Sequence, residues 1–313
     1  MQGIQLRGLR TAIGIAACGV LTWALADGML DAGGVPEALE GGNVSTGGML
    51  AVAEWLRKVQ FIPAAMAFSL STIIGWVLVT LVMGRVYCST VCPLGAWQDA
   101  WARLGRSLRH NGFERRNYRY SRPLTPWRTT SLVVFVAAVL LGVTAVVALL
   151  DPWTIYAEAC ERYLLPAWQW LESLMGDPAV RIATASMAGM IVSVVLIGGI
   201  SVLAFRNGRT FCNSVCPVGT ALGYVSRFSL LHIDIDTDLC TQCRRCEHVC
   251  KAACINLNDH VVDGSRCVNC FNCLTACRDG AIRYTISRKA LSTPLMQRLP
   301  RQQVKSPQAA GAE

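Results

Sequence analysis

The sequence predicts a mostly α membrane protein: four transmembrane helices in two pseudo-repeated hairpins, followed by a small C-terminal α+β domain. Three observations carry this. Charged residues make up 16% of the 313 positions and apolar ones 53%, against about 25% and 45–50% in ordinary soluble domains. Four long stretches hold no charge at all. Eleven of the 15 cysteines follow residue 211, in regularly spaced sets. So apolar a composition excludes a disordered chain. The length and the clustering exclude a small secreted disulfide scaffold.

The uncharged stretches lie between Arg10 and Asp27, Lys58 and Arg85, Arg128 and Asp151, and Arg181 and Arg206. They contain 16, 26, 22 and 24 residues. A helix needs about 20 residues to cross ~30 Å of hydrocarbon. The spans are therefore placed at about 9–30, 60–84, 130–150 and 183–205. The first has a rival reading as a secretory signal, with Arg7 and Arg10 ahead of an apolar run and Ala24-Leu25-Ala26 as the cleavage site; a retained anchor is preferred.

Charge fixes the expected orientation. Of 29 basic residues, 25 fall in segments 1–10, 85–128 and 206–313. The positive-inside rule makes these cytoplasmic, so both termini face the cytoplasm across the inner membrane. The net charge of +9 thus reports topology, and nucleic acid is not an expected partner. Of the outer segments, 31–48 is Gly-rich and reads as a flexible connection. Segment 152–175 is rich in Trp and Tyr, either a helix lying in the membrane interface or one wall of a quinol pocket. The basic segment 102–128 either meets anionic lipid headgroups or docks an acidic partner such as a soluble ferredoxin.

Residues 229–288 form the predicted C-terminal domain, ahead of a polar, disordered tail over 289–313. Cys240-x2-Cys243-x2-Cys246-x3-Cys250 is followed 27 residues later by Cys267-x2-Cys270-x2-Cys273-x3-Cys277. Short apolar alternations at His232–Ile235 and Ile282–Ile286 read as strands. Tight, duplicated cysteine loops between strands describe a two-cluster 2[4Fe-4S] ferredoxin-like domain. In such domains the fourth cysteine of each set serves the other cluster. Cys240, Cys243, Cys246 and Cys277 are therefore assigned to one cluster, and Cys267, Cys270, Cys273 and Cys250 to the second. Zinc also uses four-cysteine sets, but in two CxxC pairs, leaving the third step of three without a role.

Two departures stand out. Lys251 and Arg278 follow the last cysteine of each set, where bacterial ferredoxins carry Pro. A cation there favours the reduced cluster and raises its potential. Cys254 is a ninth cysteine, either a small buried side chain beside the cluster or a spare ligand.

A second repeat marks the membrane edge. Arg85-x-Tyr87-Cys88-x-Thr90-Val91-Cys92-Pro93-Leu94-Gly95 is matched by Arg209-x-Phe211-Cys212-x-Ser214-Val215-Cys216-Pro217-Val218-Gly219. Each copy follows a span, so the membrane part reads as two copies of a two-helix hairpin, each ending in CxxxCP. Cysteines four apart share a helix face. Cys88, Cys92, Cys212 and Cys216 are thus open to three roles: ligands of a third cluster or metal, redox-active thiols, or packing of helix ends.

Other chemistries lack their residues. None of the four histidines, His110, His232, His248 and His260, lies in a span, as haem b would need. There is no CxxCH, no GxGxxG and no GxxxxGK[ST]. No acid or base sits within the four uncharged stretches to relay protons.

With these motifs in hand, the chain resembles the polytopic ferredoxin-type membrane proteins of the NapH kind over roughly residues 60–290. The resemblance implies membrane-bound iron–sulfur electron transfer between the quinone pool and a respiratory partner, as the quinol-oxidising component. It also implies a companion iron–sulfur or cytochrome subunit, or a soluble ferredoxin. The alternative is an assembly or maturation protein, whose clusters reduce the CxxxCP thiols or a metal for another complex.

Overall fold

A computed structural model describes residues 2–26, 70–110, 118–164, 166–167, 170 and 187–286. The predicted span portions 27–30, 60–69 and 183–186, the segment 31–48 and the tail 289–313 lie outside the described residues.

The helical part comprises α1 (Gln2–Ala26), α2 (Leu70–Met83), α3 (Tyr87–Thr90), α4 (Pro93–His110), α5 (Thr125–Leu140), α6 (Thr144–Leu150) and α7 (Pro152–Ala159). A π-helical turn follows at Cys160–Leu164, then α8 (Met187–Asn207), α9 (Thr210–Ser214) and α10 (Pro217–Ser226). The C-terminal part adds β1 (His232–Ile235), α11 (Arg245–His248), β2 (Ile255–Asn256), β3 (Val261–Val262), α12 (Asn272–Ala276) and β4 (Ile282–Thr285).

By length and composition, Gly3–Trp23 and Met187–Asn207 can cross a membrane; Ser71–Met83 and Thr125–Leu140 are shorter apolar helices. The predicted third span, 130–150, is not continuous. It breaks between α5 and α6 at Gly142, whose φ is +70°. The Val143 amide bonds the Ala138 carbonyl at 2.8 Å and the Gly142 amide bonds Val139 at 3.2 Å. Those two bonds are a Schellman ending, which glycine allows at its left-handed position. An uncharged run shows hydrophobicity but not this stop.

Two rings of the aromatic segment pack inward rather than lying at a membrane interface, whereas Trp170 is exposed and Trp168 and 171–175 lie outside the described residues. Trp153 and Tyr156 are buried with Ala17, Leu21 and Leu25 of α1. Tyr156 Oη lies 2.6 Å from Thr22 Oγ1. Asp151 caps α7, accepting from the amides of Trp153 and Thr154 at 3.2 and 3.0 Å. Inward packing against α1 hides rings that composition alone assigns to lipid headgroups.

Helix α4, within a segment that charge counting treats as a basic loop, is amphipathic. Pro93 starts it, since proline costs nothing in a first turn. Leu94, Gln98 and Ala102 are buried, and Trp97 Nε1 donates to Ser201 Oγ of α8 at 2.9 Å. Gly105 lets the two helices meet: a Cβ there would stand 2.5 Å from the Phe205 carbonyl oxygen.

The strands expected at His232–Ile235 and from Ile282 form, and they pair antiparallel with Ile235 opposite Ile282. Ile255 opposite Val262 makes a second two-stranded ribbon. One apolar core runs from Tyr87, Leu94 and Leu222 of the helical part into Ile233, Ile255, Val268 and Ile282 of the cysteine module. The last carbonyls of α2 are satisfied from that module: Leu81 and Val82 accept from the Leu230 and Leu231 amides at 2.7 and 2.9 Å, and Met83 accepts from Tyr284 Oη at 2.8 Å.

Candidate metal centres

The eight predicted ligand cysteines gather as two crossed sets. Cys240, Cys243, Cys246 and Cys277 line one small cavity, three from the first motif and one from the second. Burial pushes the Cys246 thiol up to about 11, and the other three cysteines of that cavity add to the effect. Cys273 is pushed well up by burial, then by Cys270, Cys267 and Cys250, with Cys246 of the first set adding less, so its nearest thiols are those expected of the second set. In both motifs the residues flanking the middle cysteine are left-handed without being glycine: Gln242 and Arg244 (φ 53° and 58°), Asn269 and Phe271 (φ 48° and 57°). Such strain, about 1–2 kcal/mol per residue, is tolerated where it curls backbone amides into an anion-binding concavity. The loops therefore fit an anionic, sulfur-ligated cluster. A lone tetrahedral zinc needs sulfurs about 3.8 Å apart, and among the described residues no three Cys, His, Asp or Glu side chains close around a single ion.

Cys254 is fully buried, and its sulfur lies 3.5 Å from that of Cys250. Hydrogen bonding from Cys254 draws Cys250 down to about 7. The ninth cysteine thus stands behind a predicted ligand.

The four CxxxCP cysteines are all buried and lie near one another. Burial raises Cys92, and Cys212 and Cys88 raise it further; burial also raises Cys212, with Arg209 opposing and Cys88 adding to it. Cys216 is pushed well above its ordinary value by burial, then by Cys212, Cys88 and Cys92. Such thiols are not thiolate nucleophiles on their own. Gln98 Nε2 lies 3.2 Å from Cys212 Sγ and the Gly219 amide 3.3 Å from Cys216 Sγ.

The two copies are locked by a reciprocal grip. Arg85 Nη2 reaches the Cys212 carbonyl at 3.4 Å, while Arg209 Nη1 donates to the Cys88 carbonyl. Both arginines are fully buried. Each copy turns its corner on a glycine of φ +74°, Gly84 and Gly208, and each corner abuts the second cysteine set. A Cβ on Gly84 would stand 2.5 Å from Asn269 Nδ2, and one on Gly208 2.4 Å from the Lys251 carbonyl oxygen.

Asp99, which sequence reasoning passed over, is the centre of this joint. Its Oδ1 meets Arg209 Nε at 2.9 Å and Lys251 Nζ at 3.2 Å; its Oδ2 meets Arg10 Nη2 at 2.9 Å. All four side chains are 7% exposed or less. Burial alone would raise the carboxyl, but Arg209, Lys251 and Arg10 outweigh it and hold Asp99 far below the usual carboxylate range. Lys251 shares its carboxylate with two guanidinium groups, so burial wins there and pushes it down to about 8. On the far side, Arg85 Nη1 and Arg128 Nη2 both donate to the Ser265 carbonyl, at 2.9 and 3.1 Å.

Crossed cysteine sets docked on a duplicated thiol-bearing corner are the arrangement of an iron–sulfur protein, and comparison with known proteins points the same way. A family described as "4Fe-4S binding domain" matches twice, at residues 65–111 and 188–235, once over each CxxxCP copy. The chain is 32% identical over 103 residues to uncharacterized protein MJ0749 of Methanocaldococcus jannaschii, covering 33% of this chain and 41% of that protein. It is 26% identical to the ferredoxin-type protein NapH of Escherichia coli K12, covering 72% of this chain and 69% of NapH. It is 28% identical to the methylamine utilization ferredoxin-type protein MauN of Paracoccus denitrificans, covering 54% and 49%. The chain thus spans about two fifths to two thirds of the length of these relatives. No solved structure matches. The chain is thus similar to ferredoxin-type proteins of the NapH and MauN kind and carries two matches to the 4Fe-4S binding domain.

Proposed function

We propose that the chain is a multi-pass protein of the inner membrane that passes electrons between the quinone pool and a respiratory redox partner. Cys240, Cys243, Cys246 and Cys277 hold one [4Fe-4S] cluster in this reading; Cys267, Cys270, Cys273 and Cys250 hold the second. The convergence of each crossed set carries it. A bound cluster supplies one-electron chemistry at a potential set by its surroundings. The chain's own residues then do the rest. Lys251, buried beside Cys250, stabilises added negative charge. Arg85 and Arg128 fix the loop between the motifs through Ser265, so it keeps its shape as charge changes.

Both termini and the cysteine module are placed on the cytoplasmic side, with 25 of 29 basic residues in segments assigned there. Arg7 Nη1, which donates to Thr275 Oγ1 at 3.4 Å, supports the N-terminus sharing the side of that module. The buried Arg10–Asp99 pair supports a retained first helix.

Iron and acid-labile sulfide near eight each per chain are expected; stoichiometric zinc instead rejects the cluster assignment. Quinol added to purified protein should bleach the cluster absorbance. Clusters that dithionite reduces but no quinol does would reject the quinone half.

The family match over both CxxxCP copies favours a second reading, that Cys88, Cys92, Cys212 and Cys216 hold a third cluster or a metal. Replacing Cys88 and Cys212 with Ser should then lower iron by about four per chain. Unchanged iron with lost respiratory function would favour the assembly role instead.

A further inference from the structure

A cavity of about 710 Å³ lies between α1 and α4. That volume is typical of small-molecule sites. Arg10 and Trp23 both line it; they are 13 residues apart on one helix, so the cavity follows roughly 20 Å of α1. Its walls are mainly apolar, with Gly14, Gly19 and Trp97 among them, and Leu164 from the aromatic segment contributes. Its charged pair, Arg10 and Asp99, lies with Ser89 at the Arg10 end, while Thr22 near the other end is bonded to Tyr156.

Arg10 supplies the second observation. It is 5% exposed, and while Nη2 bonds Asp99, its Nε and Nη1 have no partner among the described residues. A buried guanidinium with idle donors calls for an acceptor oxygen. The same end touches both thiol sites: Ser89 follows Cys88, and Asp99 holds Lys251, which follows Cys250. A long apolar body with one oxygen-bearing head beside redox centres is the chemistry of a membrane quinone.

We propose that this cavity is the quinone site, with Nε and Nη1 of Arg10 donating to a head-group oxygen and the tail lying along α1 from Gly14 to Trp23. The proposal rests on the quinone reading of the function and gives that reading a place. An anionic phospholipid is the competing occupant, since Arg103 also lines the cavity.

The test uses the full chain in phosphatidylcholine nanodiscs. Decylubiquinone and a short-chain menaquinone are titrated by tryptophan quenching, and an azido-quinone is cross-linked and mapped. Gly19→Leu is the primary variant, because Gly19 lines the cavity and a Cβ there meets nothing within 4 Å. We expect Gly19→Leu and Arg10→Gln each to weaken quinone binding about tenfold or more. Iron content should be unchanged in Gly19→Leu, and the cross-link should fall within residues 10–23 or 96–103. Wild-type affinity in Gly19→Leu, a cross-link elsewhere, or retained phospholipid that quinone never displaces overturns the site. Quinol reduction of the clusters that survives Gly19→Leu overturns the site and leaves the proposed function standing. Quinone bound here with no quinol reduction in the wild type does the reverse.

Discussion

Gly142, Gly84 and Gly208 end helices with nearly the same left-handed backbone, φ +70°, +74° and +74°, in three different surroundings. Alanine at each separates backbone strain from docking. At Gly142 the new methyl meets nothing within 4 Å, so only the left-handed cost remains, about 1–2 kcal/mol. At Gly84 it would stand 2.5 Å from Asn269 Nδ2, the end of a side chain that can swing away. That adds the hydrogen bond from Asn269 to the Met83 carbonyl, for a total of about 2–3 kcal/mol. At Gly208 it would stand 2.4 Å from a main-chain oxygen, that of Lys251, which the Arg209 amide holds at 2.9 Å. The loop must retreat, leaving the amide unpaired and drawing Lys251 off Asp99, so the total reaches about 3–5 kcal/mol. Denaturant titration of purified protein reads this out, with cluster absorbance reporting the cysteine module and circular dichroism the helices. The expected order of destabilisation is Gly142→Ala, Gly84→Ala, Gly208→Ala, with the cluster signal lost ahead of the helices in the last two. If Gly142→Ala costs as much as Gly208→Ala, the docking argument is wrong.

Two further predictions test the joint and the ninth cysteine. Because three cations hold the folded Asp99 below its unfolded value, its stabilisation is full above roughly pH 4 and is lost as pH falls further. The denaturation midpoint of the wild type should drop between about pH 4 and pH 2. Asp99→Asn should lose about 3–5 kcal/mol at neutral pH and show a shallower acid limb; a parallel curve would remove Asp99 from the joint. Cys254→Ala should keep the full iron content and lower the potential of one cluster, since a donor to the Cys250 sulfur is removed. Cys250→Ser should lose that cluster; loss of iron in Cys254→Ala would make Cys254 a ligand.

The duplications were legible because both are local. Steps of three and four residues between cysteines, and the Arg-x-aromatic-Cys corner, need only neighbouring positions to be recognised. The strands at His232–Ile235 and Ile282–Thr285 were legible by alternation. Asp99 was not, because its partners are 89 and 110 residues away at Arg10 and Arg209. No periodicity connects a lone carboxylate to them, and among nine arginines it reads as a counter-ion. The amphipathic period of α4 was present at Leu94, Gln98 and Ala102, but a count of charges in 85–128 hides it. The break at Gly142 and the burial of Trp153 and Tyr156 depend on tertiary packing, to which composition is blind.

The grip between the repeats explains why two copies occur in one chain, and their divergence explains how the cysteine module is held one way up. Arg85 and Arg209 are fully buried, and each completes the other copy's turn; a lone hairpin would leave a buried guanidinium without that acceptor. The glycine after each CP dipeptide serves both copies. A Cβ on Gly95 would lie 2.3 Å from the Cys88 oxygen of its own copy and 3.1 Å from Arg209 of the other; on Gly219 the distances are 2.2 Å to Cys212 and 2.9 Å to Arg85. Four residues further on, the copies part: Asp99 stands in the first where Gly223 stands in the second. The carboxylate takes hold of the Lys251 side chain at 3.2 Å. The bare glycine instead admits the Ser265 carbonyl, which would lie 2.5 Å from any Cβ there. Were the two copies identical, the platform would offer the cysteine module the same contact twice. One charge on one side and one missing side chain on the other leave it a single way to sit.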